Sequence, residues 1–137
     1  MPDATSRLGE TLTPRCKLVA VTHASNVTGA VTDLAPVVAA ARAVGARVLV
    51  DGAQAVQHGP ADVQALGVDF YAFSGHKAFA PTGVGVLWGG GDALAALPPF
   101  LGGGGMIGRV TPEGSTWAPP PRRFEAGTPP IAQAVGL

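Results

Sequence analysis

Asp33-Leu-Ala-Pro-Val-Val-Ala-Ala-Ala-Arg-Ala-Val-Gly-Ala-Arg-Val-Leu-Val-Asp51 decides the fold. Asp33 is suited to cap a helix, Pro36 stands near the first turn where its missing N–H is no loss, and Gly45 is placed to end the helix. This predicts a helix over 33–44. Arg47 to Asp51 then reads as a buried strand, because three consecutive aliphatic residues leave no polar face. Upstream, Lys17-Leu-Val-Ala-Val-Thr22 is a second such run and ends at His23. Strand, helix and strand at this spacing make a βαβ unit, the signature of a parallel sheet.

Downstream, a short helix around Ala61 to Leu66 leads to a third strand, Asp69 to Phe73. Gly83-Val-Gly-Val-Leu-Trp88 reads as a fourth, reversed in direction because too few residues precede it for a helical crossover. The expected class is therefore α/β, with a mostly parallel sheet and flanking helices. Beyond it, Gly89 to Gly91, Gly102 to Gly105 and Pro119 to Pro121 mark a loop-rich half, with no internal repeat and no linker that divides the chain. The run Gly102 to Gly105 lacks the GxxxxGK[ST] form of a nucleotide loop and reads as a flexible boundary loop.

With 47% hydrophobic and 13% charged residues among 137, the chain can bury a core, which argues against global disorder. Nine basic and nine acidic residues cancel, and no basic stripe is present, so neither nucleic acid nor an anionic membrane is an expected partner. No apolar run approaches the roughly 18 residues of a membrane span. The lone Cys16 excludes an internal disulfide framework, and Met1 to Arg7 lacks the apolar stretch of a secretory signal, so the reading is cytoplasmic. His23, His58 and His76 have no zinc-ligand spacing, and no metal site is expected. Cys16, between Arg15 and Lys17, reads as incidental.

Ligands of parallel sheets gather at the carboxyl ends of strands, and His23, Asp51 and Ser74-Gly-His-Lys77 all fall there. A lysine condenses with a carbonyl cofactor as a Schiff base, and a carboxylate keeps a pyridine nitrogen protonated, so Lys77 with Asp51 reads as a pyridoxal phosphate site. Asp51 follows three apolar residues and is expected to be partly desolvated, in need of a cationic partner; a helix cap or solvated loop acid is the alternative. Lys77 can equally be read as a surface lysine. Against that, Gly75 permits close backbone approach, Ser74 and His76 can donate to phosphate oxygens, and Pro81-Thr-Gly83 turns the chain back. Arg122, Arg123 and Glu125 read as an ordinary surface charge group, which only a family resemblance raises.

Five ordered motifs carry a resemblance. They are His23-Ala-Ser-Asn26-Val-Thr-Gly29, Val50-Asp51-Gly-Ala-Gln54-Ala-Val, Asp62-Val-Gln-Ala-Leu-Gly-Val-Asp-Phe-Tyr, Ser74-Gly-His-Lys77 and Arg123-Phe-Glu-Ala-Gly-Thr-Pro129. From about Lys17 onward the chain resembles cysteine desulfurases, and more narrowly the SufS-type group of the class V aminotransferase superfamily. The resemblance implies that Lys77 holds pyridoxal phosphate and later moves protons at the substrate's α-carbon, and that Asp51 partners the pyridine nitrogen. It also implies that Gln54 donates to the phenolic oxygen with Asn26 close by, and that Ser74 and His76 bind the phosphate. Thr128 resembles a threonine that reaches the phosphate of a partner subunit, which implies a homodimer.

By the same resemblance L-cysteine becomes L-alanine, and its sulfur passes through a catalytic cysteine to an acceptor protein for iron-sulfur cluster assembly. Cys16 does not align with that cysteine. The family's amino-terminal phosphate turn, its ring-stacking histidine and its carboxy-terminal domain have no counterpart here. Residues 1–137 thus look like an incomplete large domain of a fold-type I pyridoxal-phosphate-dependent transferase. A relative such as selenocysteine lyase, another class V aminotransferase, and an inactive truncated remnant are the alternatives. Ala80 replaces a family glycine and is expected to tighten the turn after Lys77.

Overall fold

In the computed structural model, which describes residues 7–137, the apolar runs form one sheet of β1 (Leu18–Thr22), β2 (Arg47–Asp51), β3 (Phe70–Ser74) and β4 (Gly85–Gly89), in that order. β1, β2 and β3 run parallel to one another, and β4 is antiparallel to β3. The mostly parallel α/β expectation and the reversed fourth strand are both met. Thr22 stands opposite Asp51, so β1 and β2 end level, and Asp51 stands opposite Ala72, so β3 runs two residues further, to Ser74, at the same edge of the sheet. Met1 to Ser6, most of the stretch read for a secretory signal, lie outside the described residues.

Helix α2 (Leu34–Ala43) is the crossover between β1 and β2. Asp33 Oδ1 accepts from the Ala35 N–H at 3.1 Å, and Gly45 adopts a left-handed φ of 72° just past the end, as the cap residues predict. Leu34, Val37, Val38 and Ala41, spaced at i, i+3, i+4 and i+7, bury one stripe in a cluster with Val48, Val50 and Tyr71. Each buried leucine or valine among them contributes about 1.5–3 kcal/mol of burial. This stripe is the core.

The sheet is not buried on both faces within the described residues. Val48 and Val50 face α2, whereas the opposite face carries Leu18 and Leu87, 52% and 57% exposed. Helix α3 is a single turn, Val63–Leu66, shorter than 61–66 because the Asp62 carboxylate caps it by accepting from Gln64 and Ala65 N–H groups.

The half read as loops holds further elements. They are α4 (Gly91–Ala95), a hairpin of β5 (Ile107–Thr111) and β6 (Gly114–Trp117), and α5 (Ile131–Val135), with α1 (Leu8–Thr11) at the start. The glycine run is not a free loop either. Gly127 N donates to Gly104 O at 2.9 Å, and a Cβ on Gly103 would come within 3.1 Å of Gly127 N. Glycine is there for close chain approach. Among the described residues no helix is long and apolar enough to cross a membrane.

Candidate functional site

Two backbone bonds extend the ladder past the strands: His23 N donates to Asp51 O, and Gly52 N to Ala72 O, both at 2.8 Å. They bring the chain leaving β1 and the chain leaving β2 onto one edge. After β1, Ser25 N donates to Ala30 O at 2.9 Å and Gly29 N to Ser25 O at 3.0 Å, closing a compact turn that leaves Asn26 exposed. After β2, the chain turns through Gln54, whose Oε1 accepts from Gln57 Nε2 at 3.1 Å. Between these turns lies a cleft of about 540 Å³ lined by His23, Asn26, Gln54 and His58 among others.

Asp51 is exposed, with Oδ1 accepting from the Ala53 N–H at 2.9 Å. This corrects the expectation of a desolvated carboxylate paired with a cation. The last residue of β2 lies on the uncovered face, where water solvates it, and the only ion pair among the described residues joins Arg7 and Glu10. Lys77 is half-buried on a 3-10 turn, Gly75–Ala78, directly after β3. Ser74, half-buried, ends β3, and His76 is exposed.

Gly75 has a packing reason. Its N–H donates to Val84 O at 2.9 Å, and a Cβ would fall 2.8 Å from Val84 Cγ1 and 3.0 Å from Val84 O. Side-chain bulk there would part β3 from β4. The turn after Lys77 closes with Ala80 N donating to Gly75 O at 3.1 Å, and its left-handed residue is Phe79, with φ of 64°. Ala80 itself has no positive φ, so the expectation that Ala80 tightens the turn is corrected: the strained position is its neighbour.

Thr128 is exposed on a separate loop, and no hydrogen bond among the described residues links it to this edge. Cys16 is half-buried before the amino end of β1, at the opposite edge of the sheet. No group of three or more His, Cys, Asp or Glu side chains among the described residues could hold a metal.

Two residues to which the sequence assigns no bonding role are fixed parts of the structure. Tyr71 is 2% exposed, and its Oη lies 2.8 Å from His23 Nδ1. The two rings meet edge to face, 5.9 Å apart at 89°. Burial first, and the Asp51 carboxylate second, hold its hydroxyl above the usual tyrosine pKa. The available signal was a lone tyrosine within an apolar strand, whose hydroxyl needs a partner once buried. Arg123, read as surface charge, donates to Ala118 O through Nε at 3.2 Å and to Ala95 O and Leu97 O through Nη1 at 3.2 and 3.0 Å.

The profile of the family described as aminotransferase class-V matches residues 3–137. A cysteine desulfurase of Dickeya dadantii (strain 3937) is 55% identical over 133 residues, which are 96% of this chain and 32% of that protein. Among solved structures, the cysteine desulfurase CsdA from Escherichia coli superposes with a TM-score of 0.94 at 48% identity, over 97% of this chain and 33% of that one. The cystine C-S lyase C-DES, solved with its product cysteine persulfide, gives a TM-score of 0.86 at 39% identity, over 99% of this chain and 37% of that one. A lysine-to-alanine variant of C-DES carries glycine covalently linked to the pyridoxal phosphate cofactor, with a TM-score of 0.86 at 38% identity over the same shares. The chain thus spans about a third of the length of each of these relatives.

Proposed function

The chain belongs to the class V aminotransferase family, and on that premise we propose that it is the part of a cysteine desulfurase that holds pyridoxal phosphate. One observation carries this reading. The carboxyl ends of β1, β2 and β3 lie at one edge of the sheet, with the exposed Asp51 closing β2 and the half-buried Lys77 on the turn directly after β3. The donor set fits the cofactor. Asp51 suits the pyridine nitrogen, Gln54 and Asn26 the phenolic oxygen, and Ser74 and His76 the phosphate. Thr128 would serve the phosphate of a second subunit, which makes the assembly a homodimer.

Pyridoxal phosphate supplies a ring that draws electrons from a bound amino acid and so acidifies its α-proton. The chain's own residues do the rest. Asp51 holds a proton at the ring nitrogen, Lys77 Nζ anchors the group and moves a proton at the substrate's α-carbon, and the carboxamides orient the ring. The substrate is L-cysteine and the product L-alanine, with sulfur passed to an acceptor for iron-sulfur assembly as in the SufS-type group. Cys16 is not the sulfur-accepting thiol. It precedes β1, and a five-residue strand at about 3.3 Å per residue separates that end from the site by roughly 16 Å. That thiol comes from elsewhere in the protein, of which residues 1–137 form one partial cofactor-binding domain, in the cytoplasm.

The test is borohydride reduction of the protein with pyridoxal phosphate, then peptide mapping by mass spectrometry. The adduct is expected on Lys77. Lys77→Ala removes it and lowers alanine release from L-cysteine by about 10²-fold or more. An adduct on another lysine, or none in folded protein, refutes the reading.

A further inference from the structure

The His23–Tyr71 contact has a direction that hydrogen-bond accounting decides. Tyr71 is buried, and the one hydrogen-bond partner of its hydroxyl among the described residues is His23 Nδ1, at 2.8 Å. If Nδ1 carried the proton, it would donate to Oη and the hydroxyl proton would be left buried without an acceptor, an arrangement that folded proteins avoid. If the hydroxyl donates, both atoms are satisfied. Nδ1 is then the acceptor, and a neutral imidazole carries its proton on Nε2.

Both partners are held for this role. A Cβ on Gly52 would sink into the Tyr71 ring at Cε1, Cζ and Oη, so the bare backbone of Gly52 lies against the ring edge. The His23 backbone is tied on both sides, its N–H to Asp51 O and its carbonyl to the Thr32 N–H, each at 2.8 Å. His23 also lines the cleft together with Asn26 and Gln54.

We infer that Tyr71 is a positioning residue, whose hydroxyl fixes the tautomer of His23 so that Nε2–H is the ring donor left for an acceptor oxygen, carboxylate or phenolate, of a ligand in the cleft. Only the ligand step rests on the reading of this edge as a cofactor site; the tautomer does not.

The experiment uses the full-length protein with ¹⁵N-labelled histidine, free of cofactor, at a pH where imidazole is neutral. Long-range ¹H–¹⁵N spectra are expected to show His23 with Nδ1 unprotonated and Nε2 protonated. In Tyr71→Phe, which keeps the ring, the two nitrogen shifts move toward each other as the tautomers exchange. The pyridoxal phosphate concentration for half-maximal Lys77 labelling rises about 10-fold, as when an outer hydrogen-bond partner of a ligand is lost. A protonated Nδ1 in the unaltered protein, or nitrogen shifts that Tyr71→Phe does not move, overturns the inference. This wild-type measurement stands even if the variant fails to fold. Lys77 labelling with the wrong tautomer sinks this inference alone, and the correct tautomer without labelling sinks the cofactor reading alone.

Discussion

Asp69 and Val48 bind each other reciprocally: Val48 N donates to Asp69 Oδ2 at 2.8 Å, and Asp69 N donates to Val48 O at 3.0 Å. Gly90 N adds a bond to Asp69 O, also at 3.0 Å, so one residue ties β2, β3 and the end of β4 together. This seam lies at the end of β2 and β3 away from the site and holds these two strands and β4 in register. Val48 is 1% exposed, and its N–H has no water to turn to. Asp69→Ala should therefore cost about 1–3 kcal/mol in urea unfolding. Asp69→Asn keeps an acceptor oxygen and should lose less than half of that. Equal losses would show that the carboxylate's charge matters rather than this bond.

Arg123 clamps three carbonyls from two segments, Ala118 O on its own side and Ala95 O and Leu97 O at the end of α4 and just beyond it. A guanidinium can satisfy several acceptors in one plane, and an ammonium cannot match that fork. Arg123→Ala is expected to lower stability by about 1–3 kcal/mol, and Arg123→Lys to recover less than half. Limited proteolysis of residues 96–106 should quicken in both variants. Unchanged cleavage would mean that the clamp does not hold that segment.

The βαβ unit is legible in the sequence because its signals are local. Asp33, Gly45 and the aliphatic runs each state their role within a few residues, and the placement of Asp51 and Lys77 at strand ends follows from the runs alone. The hairpin of β5 and β6 is not legible, because nearly all of its residues are exposed and no apolar alternation marks a buried face. Whether Asp51 is solvated depends on what covers the far sheet face, which no local pattern encodes. Tyr71 was hidden for the opposite reason. Within Phe70 to Phe73 it reads as one more apolar strand residue, and only the arrival of His23 from 48 positions away gives its hydroxyl a task.

Gly52 is buried with its backbone against the Tyr71 ring. Gly52→Ala must displace the ring or the strand end, and overpacking of this kind costs about 1–3 kcal/mol. The cost should shrink sharply in a Tyr71→Ala background, where the colliding ring is gone. A thermodynamic double-mutant cycle measures this, and strict additivity would show that the two residues do not meet.

The raised Tyr71 pKa has a signed consequence. An unfolded chain ionises its tyrosine at the usual 10.0, while burial and the Asp51 carboxylate keep the folded hydroxyl protonated to higher pH. Between those two values the unfolded state binds fewer protons than the folded state. Stability is therefore full below pH 10 and falls as pH rises through the folded value. The chain has one tyrosine, so tyrosinate absorbance of this segment reports Tyr71 directly. Ionisation should lag behind free tyrosine and then appear together with unfolding, as followed by circular dichroism. Asp51→Asn removes the smaller of the two causes and should move the midpoint down only modestly. A Tyr71 that ionises near 10.0 in protein still folded would refute both the burial of its hydroxyl and the bond to His23.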